Sequence, residues 1–459
     1  MIWPLMDRTA AALALVATAA FAASTASLAR QPDDAIVLPV ETTGDNAAAR
    51  AKDAFGERVG QEQVGLYNES QVRGFNLATT ASYRLEGRYF LREYSLPDVI
   101  LDGVSVKVGV NVARQNYPSP SGVVDYRLRK TQPGLRTLSV HTGIKENMSV
   151  FAEATGSYGT DDGRFGIAGG ATVTPRSRFS NLTGGYLLNA GAVPQWQPND
   201  SVRIRAILSG EYSTYDGDYV YVRTGQALPP KPPREKFAVP WAEVKRRSIN
   251  TGLLIDADPA PDWTLTATAF YADTKRSPVD FTSAALTNAR TAQITWIHTD
   301  VLHGRTATGE LATERRFTTG TADHALIAAV RGRHSRQLNI SRAPVFVGTV
   351  DVDDPVFPLQ PALPPALGEL HSDVDQGIFS LGYRGDYFGR LEFKVGLHRS
   401  VYTKKVSPPG GAKTSRTTRK WLYDASLVLA ATGKTTLFAN AVRPVPSALP
   451  VSGSKMMFE

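Results

Sequence analysis

Polar and apolar residues alternate along most of the chain. Between Ser201 and Ser213, Val202, Ile204, Ala206, Leu208 and Tyr212 share one parity, and Ser201, Arg203, Arg205, Ser209 and Glu211 share the other. Ile207 is the one apolar residue out of place. Leu391, Phe393, Val395 and Leu397 oppose Arg390, Glu392, Lys394 and His398 in the same way. Trp421, Tyr423, Ala425, Leu427 and Leu429 form a third apolar stripe. Successive side chains of a strand point to opposite faces, so this period of two predicts β-strands with one apolar and one polar face. Each run holds about ten residues, the length of a tilted strand crossing a bilayer.

Turn signals divide these runs. Asp258 to Asp262, Gly385 to Gly389 and Ala431 to Lys434 are short and rich in Gly, Pro and Asp. The Pro-rich stretches Gly225–Pro240 and Pro344–Gly368 are longer. The alternation predicts an antiparallel sheet with tight turns at one end and long loops at the other. Tyr212, Tyr215, Trp263, Tyr271, Tyr387, Phe388, Tyr402, Trp421 and Tyr423 cluster near the ends of the runs. Interfacial aromatic girdles would place them there.

The front of the chain has a different texture. Asp7 and Arg8 precede an Ala- and Leu-rich run from Thr9 to Ser24, followed by Ser27-Leu28-Ala29. A short n-region, an apolar h-region and a small-x-Ala site predict a secretory signal over 1–29, removed near Arg30. Residues 30–60 read as a polar leader containing one β-prone island, Ile36-Val37-Leu38-Pro39-Val40. Residues 61–133 form a compact block with frequent Gly and Pro. The alternating segments occupy 134–445, and 446–459 is an irregular tail.

Composition narrows the choices. In 459 residues, 42% apolar and 20% charged, no run beyond the first thirty approaches the length of a spanning helix. Cysteine is absent, which removes disulfides, thiolate zinc sites and cysteine nucleophiles. The net charge is +8, but the 51 Lys and Arg are interleaved with 43 Asp and Glu, so no nucleic-acid partner is expected. Gly433-Lys434-Thr435 lacks the earlier glycine of a P-loop, since Val428 stands there. His298 and His303 should lie on opposite strand faces, and Asp351, Asp353 and Asp354 lack the Gly and Glu of a calcium loop. No metal, cofactor or catalytic set is expected, and no nucleophile–base pair of a barrel enzyme is legible.

The block from Gly65 to Asn76 contains Val72-Arg73-Gly74-Phe75, which resembles the plug signature of TonB-dependent outer-membrane receptors. Asp102-Gly103 is similar to that family's second plug landmark, and Pro118 to Arg129 to the end of its plug. Ile36 to Val40 is similar in place and texture to a TonB box. The resemblance implies a fold dominated by β-structure: a transmembrane antiparallel barrel with an N-terminal α+β plug in its lumen. It implies a receptor for a scarce ligand, most often a ferric siderophore, working in the outer-membrane lipid and energised through TonB with ExbB and ExbD. The alternative within transport is a passive porin-like channel, which lacks a plug; the alternative from another class is an outer-membrane barrel enzyme. Gly74 and Gly103 would supply tight turns, and Arg73 would face acidic residues of the barrel wall.

Residues 134–459 offer about 14 strands by this reading, against roughly 22 for a barrel that holds a plug. Arg443 to Pro450 is too rich in proline for a ladder strand. The expectation is therefore a C-terminally truncated receptor whose first and last strands do not pair.

Overall fold

A computed structural model of the chain describes residues 83–107, 123–145, 148–178, 184–223, 238–288, 290–431 and 435–443, with short strands at 57–59, 71–72 and 75–76. The signal segment, Ile36–Val40, Arg73, Gly74 and the tail from 446 lie outside the described residues.

The first strands are β1 (Glu57–Val59), β2 (Gln71–Val72), β3 (Phe75–Asn76), β4 (Tyr83–Leu85), β5 (Arg88–Tyr89), β6 (Leu101–Lys107) and β7 (Val123–Leu128). Five of them form a small sheet in the order β1-β6-β7-β4-β5. Among the described residues β2 and β3 pair only with each other, with Val72 opposite Phe75. Among the described residues this unit contains one 3-10 turn, Asp98–Ile100, and no α-helix, so the helical half of the α+β expectation is not found there.

The alternating region folds into strands β8 (Arg136–Lys145), β9 (Ser149–Gly159), β10 (Phe165–Arg178), β11 (Gly184–Asn199), β12 (Val202–Asp216), β13 (Asp218–Arg223), β14 (Glu243–Ala260) and β15 (Trp263–Leu286). They are followed by β16 (Thr291–Thr319), β17 (Ala322–Arg342), β18 (Val345–Asp351), β19 (Ala366–Tyr387), β20 (Leu391–Ser407), β21 (Thr414–Ala430) and β22 (Thr436–Val442). All fifteen belong to one sheet. Its main path runs in chain order from β8 to β22, while β13 pairs with β15 and β18 with β16. Among the described residues β8 pairs only with β9 and β22 only with β21.

The connections sort by end. Every second one is a turn of a few residues, as at 200–201, 261–262 and 320–321. Segments 217–242 and 343–365 both lie at the other end. The expected turn at Gly385–Gly389 sits further on: Gly385 and Asp386 are ladder residues, and Phe388 and Gly389 turn the chain at φ 59° and 60°. Pro344–Gly368 is not loop throughout, because β18 lies within it and pairs with β16.

The polarity of the large sheet is the reverse of a water-soluble one. Leu208, Tyr212, Leu397 and Tyr423 are exposed, whereas Arg205, Ser209, Lys394 and Asp424 are buried. One outward stripe of β15 reads Trp263, Leu265, Ala267, Ala269, Tyr271, Asp273, and the partners of its last two members are Ala307 and Arg305. An aromatic residue, an apolar band, a second aromatic and then charge is the order of layers in a bilayer. β15 and β16 have 24 and 29 residues, far more than the expected ten. They continue past the second aromatic toward the long-loop end, where β13 and β18 extend the ladder. There Val239, Ala284, Ile294, Trp296 and Val350 form a separate apolar core.

Candidate functional site

The small sheet lies against the polar face of the large one. Leu85, Phe90, Ile100, Leu101 and Tyr126 share one buried core with Val193, Ile207, Leu254, Phe270 and Ala272 of the wall. Phe90 meets Phe270 edge-on at 5.1 Å. Ile207, the exception to the alternation of β12, is fully buried in this core. Its face is polar except where the small sheet covers it.

A two-residue turn joins β4 to β5, with Glu86 and Gly87 at φ 52° and 79°. Positive φ at both positions is the hairpin geometry that matches strand twist, and it suits Gly better than Glu. Asp125 accepts a hydrogen bond from the Gly87 amide at 2.8 Å, and Glu86 accepts one from the Leu128 amide at 2.6 Å. The turn is thereby held pointing at the wall. Its other carboxyl oxygen pairs with Arg205 at 3.0 Å. Arg88 pairs with Asp256, which also meets Arg205 at 3.3 Å. Two cations and two carboxylates therefore join the units near the short-turn end. Burial first, and the Arg205 charge second, hold the Arg88 guanidinium below its usual pKa. Arg84 is more deeply placed: burial, then the nearby Arg331, pushes it down to about 10. Arg331 also lies 4.8 Å over the Tyr89 ring.

The loop after β5 reaches toward the long-loop end. Glu93 accepts a hydrogen bond from Thr306, and burial raises its pKa against that bond. Gly304 lies beneath it, and a side chain there would push the Glu93 carboxylate aside. Burial likewise raises the Tyr94 phenol. Arg246 lies 3.7 Å over the Tyr94 ring and donates to Glu211 at 2.7 Å. Arg276 is the cross-strand partner of Arg246 on the same face and is exposed. Tyr94, Arg246 and Arg276 thus lie together on the polar face of the wall, with the Arg246 charge met by Glu211 and Arg276 exposed.

Of the residues singled out in the sequence, Val72 and Phe75 are cross-strand partners. Asp102 is exposed at an irregularity in the pairing of β6 with β7. Gly103 makes no turn: it is a buried strand residue and is not among the described glycines with positive φ. The ion pairs with the wall described above are made by Glu86 and Arg88, which no motif marked. His298 and His303 lie on opposite faces and bind different carboxylates, Asp280 and Asp273. Asp351 accepts from the Asp353 amide at 2.8 Å, a local turn. One Ser–His–Asp constellation carries no signal in the sequence. His398 bonds Ser380 at 2.8 Å and Asp424 at 2.7 Å, and Asp424 also pairs with Lys394 at 2.7 Å. Ser380 is only 4% exposed and Asp424 is shared with a lysine, so the group reads as a buried polar tie between β19, β20 and β21. Among the described residues no cluster of three or more metal-ligating side chains occurs.

No protein-family model and no curated protein sequence matches the chain. Solved structures do. BauA, the ferric preacinetobactin receptor of Acinetobacter baumannii, is 16% identical with a TM-score of 0.68, over 80% of this chain and 56% of that one. The ferric-catecholate import receptor Fiu of E. coli K12, in its open form, is 12% identical with a TM-score of 0.69, over 85% of this chain and 69% of its own. The ferripyoverdine receptor of the outer membrane of Pseudomonas aeruginosa is 12% identical with a TM-score of 0.66, over 82% of this chain and 52% of its own. The chain has the fold of these receptors, which are transport proteins rather than enzymes. It spans between about half and two thirds of their length.

Proposed function

We propose that the chain is an outer-membrane receptor for TonB-dependent uptake of a ferric siderophore. The supporting observation is the reversed polarity of the large sheet, apolar outside and polar inside, with the small sheet packed on its polar face. In this reading residues 61–133 are the plug, 134–445 the barrel strands, and the long-loop end faces outward. The surface at Tyr94, Arg246 and Arg276 meets the anionic iron complex. Glu86, Arg88, Arg205 and Asp256 hold the plug to the wall by ion pairs that can exchange when the plug shifts. Ile36–Val40 is the segment captured by TonB through strand addition, with ExbB and ExbD supplying the energy. Val72, Arg73, Gly74, Phe75, Asp102 and Gly103 mark the plug. Residues 1–29 direct export and are removed by cleavage near Arg30.

The test is uptake of a panel of radiolabelled ferric siderophores by cells with and without TonB. Uptake of at least one complex only in the TonB-containing strain is expected; equal entry of all small solutes in both strains would mean a passive channel. Val37→Pro removes a backbone donor required for strand addition, so it should abolish uptake and leave binding intact. Undiminished uptake by that variant would show that Ile36–Val40 is not the coupling segment.

A further inference from the structure

We propose that His298, with a proton on each ring nitrogen, is a positioning residue that ties the two long-loop segments together and uncouples them when it gives up a proton. The inference concerns the long-loop end of the wall and holds whether or not the chain takes up iron.

The two segments meet the wall at two carboxylates. Asp280 on β15 accepts the Glu243 amide at 2.9 Å and the Trp296 indole N–H at 3.0 Å. Beside it the Val239 amide donates to Thr282 at 3.2 Å. Asp280 therefore anchors the end of segment 217–242. Asp300 on β16 accepts from Arg342 Nε at 2.9 and 3.0 Å, one distance to each oxygen. Arg342 stands just before segment 343–365, and its Nη1 donates to the Pro364 carbonyl at 2.6 Å. Asp300 therefore anchors the second segment through Arg342.

His298 stands between the two anchors. Its Nδ1 lies 2.6 Å from Asp280 Oδ1, and its Nε2 lies 3.1 Å from Asp300 Oδ1. Each oxygen of both carboxylates already accepts an N–H, so neither is placed to carry a proton of its own. Each contact with His298 therefore needs an N–H on the ring. Only the imidazolium has both; the neutral ring has one, and its other nitrogen would set a lone pair against a carboxylate. The side chain is 12% exposed, so water is a poor substitute donor. Loss of the proton breaks one arm of the bridge and leaves a carboxylate short of a donor.

Neighbouring charges do not replace this bridge. The Glu243 carboxylate is taken by Lys245 at 2.8 Å. Asp218 on β13 aligns with Phe281 and so shares its face, opposite to that of Asp280. Arg276 aligns with Leu302, four residues further along β16. On β18, Val345 stands beside Trp296 and Asp351 lies as far away as Thr291. His303, with Asp273 and Arg305, belongs to the other face of β16. The bridge is thus complete while both ring nitrogens carry protons, and it fails as pH rises and His298 loses one.

The experiment follows the full chain in detergent micelles between about pH 5 and about pH 9. NMR of the ring nitrogens reports the state of His298, assigned by the signals lost in His298→Gln. Hydrogen exchange gives protection factors for the amides of Val239, Ala242 and Glu243, corrected for the direct effect of pH on exchange. At the acid end the ring should carry both protons. Protection of the three amides should fall about tenfold as the ring becomes neutral, with the same midpoint. Amides of Ile378 and Leu397, in ladders remote from the bridge, should not follow it. His298→Gln should show the low protection throughout the range. A neutral ring at the acid end with the segments still protected, protection that does not track the ring proton, or full protection in His298→Gln would overturn the proposal. The titration of the unaltered chain decides the first two of these without any variant.

Discussion

Ile207 shows how one residue carries information that its own strand does not explain. Every neighbour on its face of β12 is polar, and Ile207 breaks the pattern because the small sheet rests on it. Truncation to Ala would leave a cavity in a fully buried site, at a cost of about 2–4 kcal/mol. Since the loss falls on the contact between the units, protease cleavage of residues 83–128 should accelerate in Ile207→Ala while the large sheet stays intact. Unchanged cleavage would place Ile207 outside that contact. Glu93 makes a pH-dependent case. Burial raises its pKa above the ordinary 4.5, so the folded state holds a proton that the unfolded state has released. Stability then falls as pH climbs from 4.5 until the folded-state value is passed, and levels off beyond it. Glu93→Gln keeps an oxygen for Thr306 and removes the charge, so its denaturation midpoint should lose this decline. A decline of the same size in the variant would assign it to another group. The parity of Ile207 was legible in the sequence, but its cause was not, nor was the pairing of Arg88 with Asp256. Those two residues lie 168 positions apart, and no local pattern links them.

At the level of elements, alternation told which face of each strand is apolar and exposed, because successive side chains of a strand point to opposite faces. It did not tell where strands end. β15 and β16 run on beyond Tyr271 and Ala307, where β13 and β18 continue the ladder, and those pairings depend on chain far away in sequence. The buried tie among Ser380, His398 and Asp424 was hidden for the same reason, since its members lie on three successive strands. It also needs a gap: a Cβ on Gly396 would meet Asp424 Oδ1 at 2.2 Å. What alternation did place can be tested on β15. Ala267 lies at the middle of the stripe between Trp263 and Tyr271. Arginine there should cost about 2–4 kcal/mol of folding in vesicles, and leucine little. Urea titration of the vesicle-bound protein measures both. Equal stability of Ala267→Arg and the parent would mean that this stripe does not face hydrocarbon.

For the whole molecule, the sheet path matters most at its two ends. Interior strands such as β16 are bonded on both sides, and the long ladders β15–β16–β17 sit at the centre of the path. β8 and β22 are bonded on one side only among the described residues. Their side chains are little covered as well: Leu138, Val140 and Ile144 on β8 are 60%, 66% and 63% exposed, and Leu437 on β22 is 57% exposed. An amide exchanges with solvent when its hydrogen bond opens, and strands with few buried contacts open most easily. Inside lipid, unpaired strand edges would cost several kcal/mol per group, so a bilayer would drive the edges toward any available partner. Hydrogen exchange in two environments separates these effects. In detergent, where water reaches the edges, amides of β8 and β22 should exchange well before those of β15–β17. On transfer to vesicles the edge amides should gain protection if the two edges meet each other or another chain, and the protein concentration dependence tells which. Protection of β8 and β22 in detergent equal to that of β16 would show instead that both edges are already paired in solution, and the one-sided bonding of these strands would then not describe the folded protein.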